Sequence, residues 1–117
     1  MAVGETTADG LHLAGSPKGF YARLGRAGRK AGSVMVPTPD EAAAEMSPAE
    51  TDEPVTITDG RWPRFVAGGP ADVRATLEQM IAESGADEVM IQDLIADPAD
   101  RRRSRELLAR DFGLATP

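Results

Sequence analysis

The chain has 117 residues, of which 41% are apolar and 27% charged, with a formal net charge of −6 and no cysteine. This length suits one domain with a modest core, and the acidic balance argues against binding to nucleic-acid phosphates. The absence of cysteine excludes disulfides, thiolate metal sites and cysteine nucleophiles.

The first residues carry no recognisable targeting signal. Residues 1–15 lack the basic start and apolar run of a signal peptide, and no stretch approaches the roughly 20 apolar residues of a membrane span. We therefore expect a cytoplasmic protein without membrane contact. His12, the only histidine, is interpreted as a surface or half-buried side chain. A general base or metal ligand needs convergent partners, so no metal site is predicted.

Helix starts are the clearest local signal along the chain. A proline after a small polar residue or glycine is typical of a helix start, because the first helical N–H has no partner to lose. In the last four of the five examples an acid follows three residues after the cap, where it can close a capping box or favour the helix dipole. The pairs are Ser16-Pro17, Thr38-Pro39, Ser47-Pro48, Gly69-Pro70 and Asp97-Pro98.

Residues 1–60 are predicted to be a poorly defined, helix-containing segment. Residues 17–31 suggest a short helix weakened by its glycines, and residues 33–36 a short strand. Residues 46–60 are rich in Pro, Thr, Asp and Glu, which predicts a mobile acidic linker without core contacts.

A basic cluster lies within this segment. It is either an anion or nucleic-acid patch or, as we prefer, a solvated helix face or a tether to the acidic middle of the chain. Its members are Lys18, Arg23, Arg26, Arg29 and Lys30, with Phe20 and Tyr21 among them.

Residues 61–117 are predicted to form a βαβα unit with parallel strands. The short apolar run at residues 65–67 ends at a Gly-Gly-Pro turn, and Val73, Leu77, Met80 and Ile81 then give a helical apolar stripe up to Gly85. Residues 88–95 include a continuous apolar run, which predicts a strand covered on both faces. A second helix follows from Asp97 to Gly113. Its arginines, interleaved with acids, predict a charged outer face with i,i+4 pairs. They are Arg101, Arg102, Arg103, Arg105 and Arg110.

Three stretches of this half resemble the closing end of the luciferase-like flavin monooxygenase family. Residues 66–73, Val-Ala-Gly-Gly-Pro-Ala-Asp-Val, are similar to its Val-x-Gly-(Thr/Ser)-Pro-x-x-Val. Residues 85–91, Gly-Ala-Asp-Glu-Val-Met-Ile, resemble its Gly-Ala-Asp-Glu-Leu-Met-Val. Residues 101–109, Arg-Arg-Arg-Ser-Arg-Glu-Leu-Leu-Ala, are similar to its closing Arg-Leu-Arg-Ser-Tyr-Glu-Leu-Leu-Ala helix. A weaker match covers residues 34–42.

The resemblance implies an α/β chain with a partial TIM-barrel-like βαβα unit in its C-terminal half. A complete barrel needs roughly 250 residues, so the chain is interpreted as a truncated relative, not catalytically competent as an isolated chain. The family uses FMN or a deazaflavin, but its preceding strands have no counterpart here. We therefore expect no tight flavin binding to this chain alone, and no catalytic, cofactor-binding or metal residue is assigned.

Two alternatives remain open from the sequence. The Gly68-Gly69-Pro70 turn is either a plain helix start, which we prefer, or a set of free N–H groups facing a phosphate or flavin edge. The alternative function is a small acidic interaction module, since a βαβα piece leaves open sheet edges. Such a module would pair with itself or with a fuller barrel subunit.

Overall fold

The protein folds as a helix-rich α/β unit around one short parallel sheet in this computed structural model, which describes residues 1–114. The last three residues of the predicted unit 61–117 lie outside the described residues. A 3-10 helix spans Gly28–Ser33. The other elements in chain order are β1 (Ala2–Val3), α1 (Thr7–Leu13), α2 (Gly15–Ala27), α3 (Pro39–Glu45), α4 (Pro48–Thr51), β2 (Ala67–Gly68), α5 (Pro70–Ser84) and α6 (Pro98–Asp111).

The sheet joins the start of the chain to its C-terminal half. Ala2 pairs with Ala67 and Val3 with Gly68 in parallel register. The Ala2 N–H donates to the Val66 carbonyl, and the Gly4 N–H to the Gly68 carbonyl, each at 3.0 Å. The sequence interpretation missed β1, because two apolar residues are too few for a recognisable strand pattern.

The core lies between the sheet and the two C-terminal helices. The predicted apolar stripe of α5 is buried at Val73 and Leu77, and it meets α6 and Val3. This arrangement explains why α6 has two adjacent buried leucines, since it faces both α5 and β1. The main cluster is Val3, Val73, Leu77, Leu107 and Leu108, and a second cluster is Ala2, Ala14, Ala67 and Ile95.

Four of the predicted helix starts are confirmed. Thr38 and Ser47 each form a reciprocal capping box with the glutamate three residues later. The Asp97 carboxylate accepts from two N–H groups of the first turn of α6, and α5 begins after Gly69 with proline in its first turn. The fifth is wrong: Ser16 lies inside α2, and its buried hydroxyl has no hydrogen-bond partner among residues 1–114.

The second strand of the predicted βαβα unit does not form. Residues 88–95 are neither helical nor paired in a sheet. A physical reason is that other groups of the chain already occupy both edges of the small sheet. The Val3 N–H, on the outer edge of β1, donates to the Ser104 hydroxyl at 2.9 Å. The Ala67 N–H, on the outer edge of β2, donates to the Val55 carbonyl at 3.2 Å.

The expectation that residues 46–60 make no core contacts is wrong. The segment contains α4, and Val55 packs against the cluster that holds Ala67. Thr58 and Arg61 form an antiparallel bridge at a tight turn. Residues 33–36, predicted as a strand, are the end of the 3-10 helix and an irregular connection to α3.

No helix within residues 1–114 is both long and apolar enough to cross a membrane.

Candidate functional site

The carboxyl ends of β1 and β2 are the place where parallel α/β folds usually carry their sites. In this protein α1 covers them. Gly10 of α1 packs directly against the backbone of Gly68, so that a Cβ at residue 10 would lie 2.1 Å from the Gly68 carbonyl oxygen. Such close approach is available only to glycine. The strand ends are therefore closed by the chain's own first helix.

Helix α1 was not predicted from the sequence, although a local signal for it exists. The Thr6 hydroxyl caps the helix by accepting from the Asp9 N–H at 3.2 Å. Thr6 and Asp9 have the same spacing as Thr38 and Glu41, but Thr6 lacks the following proline that marks the other predicted helix starts. A search for capping residues alone would have found it.

The Gly68-Gly69-Pro70 turn is satisfied by an internal carboxylate. The Gly69 N–H donates to Asp72 Oδ2 at 3.0 Å, and the Thr7 hydroxyl donates to the same oxygen at 2.7 Å. The Thr7 hydroxyl and then the Gly69 N–H lower the pKa of Asp72. A negative charge thus sits at the N-terminus of α5, where a bound phosphate would otherwise be favoured. This geometry agrees with the interpretation of the turn as a plain helix start.

Glycine is required at this turn for a steric reason as well. Gly68 has φ +142°, a conformation that residues with a side chain rarely adopt, and an added Cβ would lie 2.9 Å from the Asp72 Cβ. Gly68 thus belongs to β2, contacts α1 and leads into the turn before α5.

His12 borders a small polar cleft of about 250 Å³ between α1 and α6. The cleft also contains Asp9, Asp100 and an ion pair between Arg103 and Glu5, whose Nε and Oε1 are 2.6 Å apart. The His12 side chain is exposed and makes no hydrogen bond within residues 1–114. No group of three or more potential metal ligands occurs in that part of the chain. The surface interpretation of His12 is retained.

The basic cluster of α2 binds the acidic middle of the same chain, as the preferred interpretation predicted. Arg23 holds Glu45 through two contacts, Nε to Oε2 at 2.8 Å and Nη2 to Oε1 at 2.7 Å, and it also reaches Glu41 at 3.3 Å. These bonds raise the pKa of Arg23, and the hydrogen bond from Arg23 lowers the pKa of Glu45. Arg26 pairs with Glu50 at 2.5 Å. Together they tie α2 to α3 and α4.

Lys18 is the buried member of this cluster. Its ammonium group donates to the Thr51 carbonyl at 2.8 Å. Burial lowers the pKa of Lys18, an effect partly opposed by the nearby carboxylates of Glu53 and Asp52. Lys18 therefore also holds α2 against the end of α4.

Two of the α6 arginines, Arg103 and Arg105, form ion pairs within residues 1–114, and the others do not. Arg103 joins Glu5 and Glu106, the latter an i,i+3 pair at 3.4 Å, and Arg105 joins Asp93 at 2.7 Å. The predicted i,i+4 pairs are not observed on α6 among residues 1–114. The helix thus anchors both the loop after β1 and residues 88–95.

An apolar cleft of about 410 Å³ lies between α5, α6, β1 and residues 88–95. Its walls are aliphatic and aromatic, with the Arg105–Asp93 pair beside them. The Met1 ammonium group donates to the Gln92 carbonyl at 2.8 Å, which holds the segment near the start of β1. The lining residues include Leu77, Ile81, Val89, Ile91, Leu108 and Phe112. Asp93 and Arg105 neutralise each other in an ion pair and the other walls are mostly apolar, so the cleft is suited to apolar contact.

Comparison with known proteins finds a similar fold along nearly the whole chain. The crystal structure of apo-MsnO8 covers 99% of this chain with a TM-score of 0.77 and 33% sequence identity, while this chain covers 34% of that one. A stretch of 44 residues, 38% of this chain, is 41% identical to the uncharacterized protein YvbT of Bacillus subtilis (strain 168), of which it covers 13%. No family model matches. The chain thus has the fold of about a third of MsnO8.

Proposed function

We propose that the chain is a monooxygenase-like protein that corresponds to one segment of a luciferase-like flavin-dependent barrel. The observation that carries the proposal is the similarity of 99% of the chain to MsnO8, a luciferase-like monooxygenase. The three motifs at residues 66–73, 85–91 and 101–109 support it, because they follow the order of that family's closing end. FMN or a deazaflavin is the cofactor class that this relationship implies.

The residues at the strand ends do not fit a flavin phosphate. The Gly69 N–H already donates to Asp72, and the lowered pKa of Asp72 keeps that carboxylate negative at neutral pH. A second anion at this turn would be repelled by Asp72. A pocket that buries most of a flavin also needs several walls, whereas α1 already covers the ends of the two strands. We therefore propose that the isolated chain does not bind flavin tightly and is not catalytically competent by itself.

Titration of the purified chain with FMN, followed by quenching of flavin fluorescence, tests this proposal. Binding no tighter than roughly millimolar is expected. Riboflavin is the matched control, because it has the same ring system without the phosphate. We expect both ligands to bind equally weakly. Saturation at low micromolar FMN, with weaker binding of riboflavin, would contradict the proposal and show that the chain builds a phosphate site.

A second candidate function, an interaction module, is favoured by one specific observation. Residues 88–95 present apolar side chains next to the apolar cleft, yet no N–H group of this segment donates a hydrogen bond to an acceptor within residues 1–114. Unpaired apolar segments of this kind pair readily with another strand. The expected partner is a second copy or a fuller barrel subunit.

A further inference from the structure

We propose that Asp59-Gly60 is a site of spontaneous backbone modification, at which the Gly60 nitrogen cyclises onto the Asp59 side chain and an isoaspartyl linkage results. The sequence contains two Asp-Gly pairs, Asp9-Gly10 and Asp59-Gly60. Glycine in the second position favours this reaction, because it has no Cβ to hinder its nitrogen. The surroundings of the two pairs differ, and only the second pair is open to the reaction.

The reaction needs no cofactor and no oxidant. The Gly60 backbone nitrogen attacks the carboxyl carbon Cγ of Asp59, so that an N–Cγ bond forms. The Cγ–OH bond breaks, and the hydroxyl leaves with the proton of the attacking nitrogen as one molecule of water. The product is a five-membered succinimide ring. Addition of water to its Cγ carbonyl restores aspartate, whereas addition to the backbone carbonyl of Asp59 leaves the chain running through the side chain as isoaspartate.

Asp59 and Gly60 are the two central residues of a tight turn between Thr58 and Arg61. Both have positive φ, +51° at Asp59 and +73° at Gly60, which is the pattern of a type I′ turn. Two hydrogen bonds close the turn, from the Thr58 N–H to the Arg61 carbonyl at 3.1 Å and from the Arg61 N–H to the Thr58 carbonyl at 3.0 Å. Residues 58–62 are all exposed. Exposed turns with so few bonds open locally at small cost, and opening lets the Gly60 nitrogen rotate toward Cγ.

The two reacting groups have no competing partner in the part of the chain that the structure describes. The Gly60 N–H donates no hydrogen bond there, and the Asp59 carboxylate neither accepts one nor forms an ion pair. An added Cβ at residue 60 would meet no atom within 4 Å, so the space around this residue is open. Attack therefore requires no movement of a neighbouring side chain.

Asp9-Gly10 is an internal comparison, since the same two residues lie in α1. The Gly10 N–H donates to the Thr6 carbonyl at 3.0 Å. Gly10 is also buried against Gly68, and the helix holds its nitrogen away from the Asp9 side chain. Reaction there requires α1 to unfold, so we expect isoaspartate to form at Asp59 about tenfold faster or more.

The modified turn presents a chemical group that the original chain lacks. In isoaspartate the α-carboxylate is free and the backbone is one methylene longer. Because residues 58–62 are exposed, this α-carboxylate is accessible to a methyltransferase that moves a methyl group from S-adenosylmethionine to it. An isoaspartyl methyltransferase is therefore the class of partner that the site predicts. The inference does not depend on the proposed function, because no residue of the strand ends or of the apolar cleft takes part.

Ageing of the purified full chain at neutral pH and physiological temperature, followed by trypsin digestion, tests the inference. Trypsin separates the two sites, because Asp9 lies in peptide 1–18 and Asp59 in peptide 31–61. Isoaspartate is measured in each peptide by methylation with an isoaspartyl methyltransferase and labelled S-adenosylmethionine, and it is located by fragmentation in mass spectrometry. We expect label in peptide 31–61 to appear at about ten times the rate in peptide 1–18 or more.

A chain aged in guanidinium chloride until it carries label is the control for intrinsic reactivity, and both of its peptides should be labelled at similar rates. Asp59→Glu should remove the label from peptide 31–61, since glutamate would have to close a six-membered ring. Asp52→Glu, in the same peptide, is the matched control and should retain the label. Three results would overturn the inference: equal labelling of both peptides in the folded chain, no label at Asp59 in the folded chain after the same time, or a persistent label in Asp59→Glu.

Discussion

Two glycine-to-alanine substitutions in helices are expected to change stability in opposite directions. Gly10 in α1 is buried against β2, whereas Gly25 in α2 is exposed. An added Cβ at residue 10 would lie 2.1 Å from the Gly68 oxygen and 2.4 Å from its carbonyl carbon. An added Cβ at residue 25 meets no atom within 4 Å. The pair therefore compares the same chemical change with and without a steric clash.

The magnitudes follow from helix propensity and overpacking. Alanine is favoured over glycine in a helix interior by about 1 kcal/mol, so Gly25→Ala should raise the free energy of unfolding by roughly 0.5–1 kcal/mol. Overpacking a core costs about 1–3 kcal/mol, occasionally more. The atoms that a Cβ at residue 10 meets are backbone, and the Gly68 carbonyl is held by the Gly4 N–H. We therefore expect Gly10→Ala to lower the free energy of unfolding by about 2 kcal/mol net.

Urea unfolding followed by circular dichroism measures both effects. The transition midpoint should fall for Gly10→Ala and rise slightly for Gly25→Ala, with unchanged slopes. Equal stability of Gly10→Ala and wild type would refute the reasoning, because it would mean that α1 does not press on Gly68. The closure of the strand ends by α1 would then be incorrect.

Two further predictions concern hydrogen bonds between distant parts of the chain. The Thr7 hydroxyl is the main cause of the lowered pKa of Asp72. The ionised Asp72 carboxylate therefore stabilises the fold above its unfolded pKa of about 3.9. This stabilisation is lost as the pH falls through the lower pKa of the folded state. In urea unfolding, the free energy of unfolding of Thr7→Val should fall less steeply than that of the wild type as the pH drops below about 4. An unchanged pH profile would count against the Thr7–Asp72 bond. Ser104→Ala leaves the buried Val3 N–H without its acceptor and should lower the free energy of unfolding by about 1–3 kcal/mol; a neutral result would show that Ser104 is not needed at the outer edge of β1.

The amino-acid sequence by itself determined the helix boundaries where the signal is local. Thr38, Ser47 and Asp97 cap their helices with their own side chains. Gly85 ends α5 with φ +70°. Each of these contacts joins residues only a few positions apart, so that a short window of sequence contains both partners. The buried stripe of α5 was predictable for the same reason, because helical periodicity alone places Val73 and Leu77 on one face.

Only the tertiary structure decided how the strands pair and which surfaces remain open. β2 pairs with residues at the start of the chain, and the Ser104 hydroxyl that satisfies Val3 lies 101 positions away from it. Residues 88–95 have the apolar pattern of a strand, but a strand forms only where another backbone offers free hydrogen-bonding groups. In residues 1–114 the groups on both edges of the sheet are already bonded, to Ser104 and Val55. The closing of the strand ends by Gly10 and the unpaired segment beside the apolar cleft depend on such distant contacts, which no local pattern specifies.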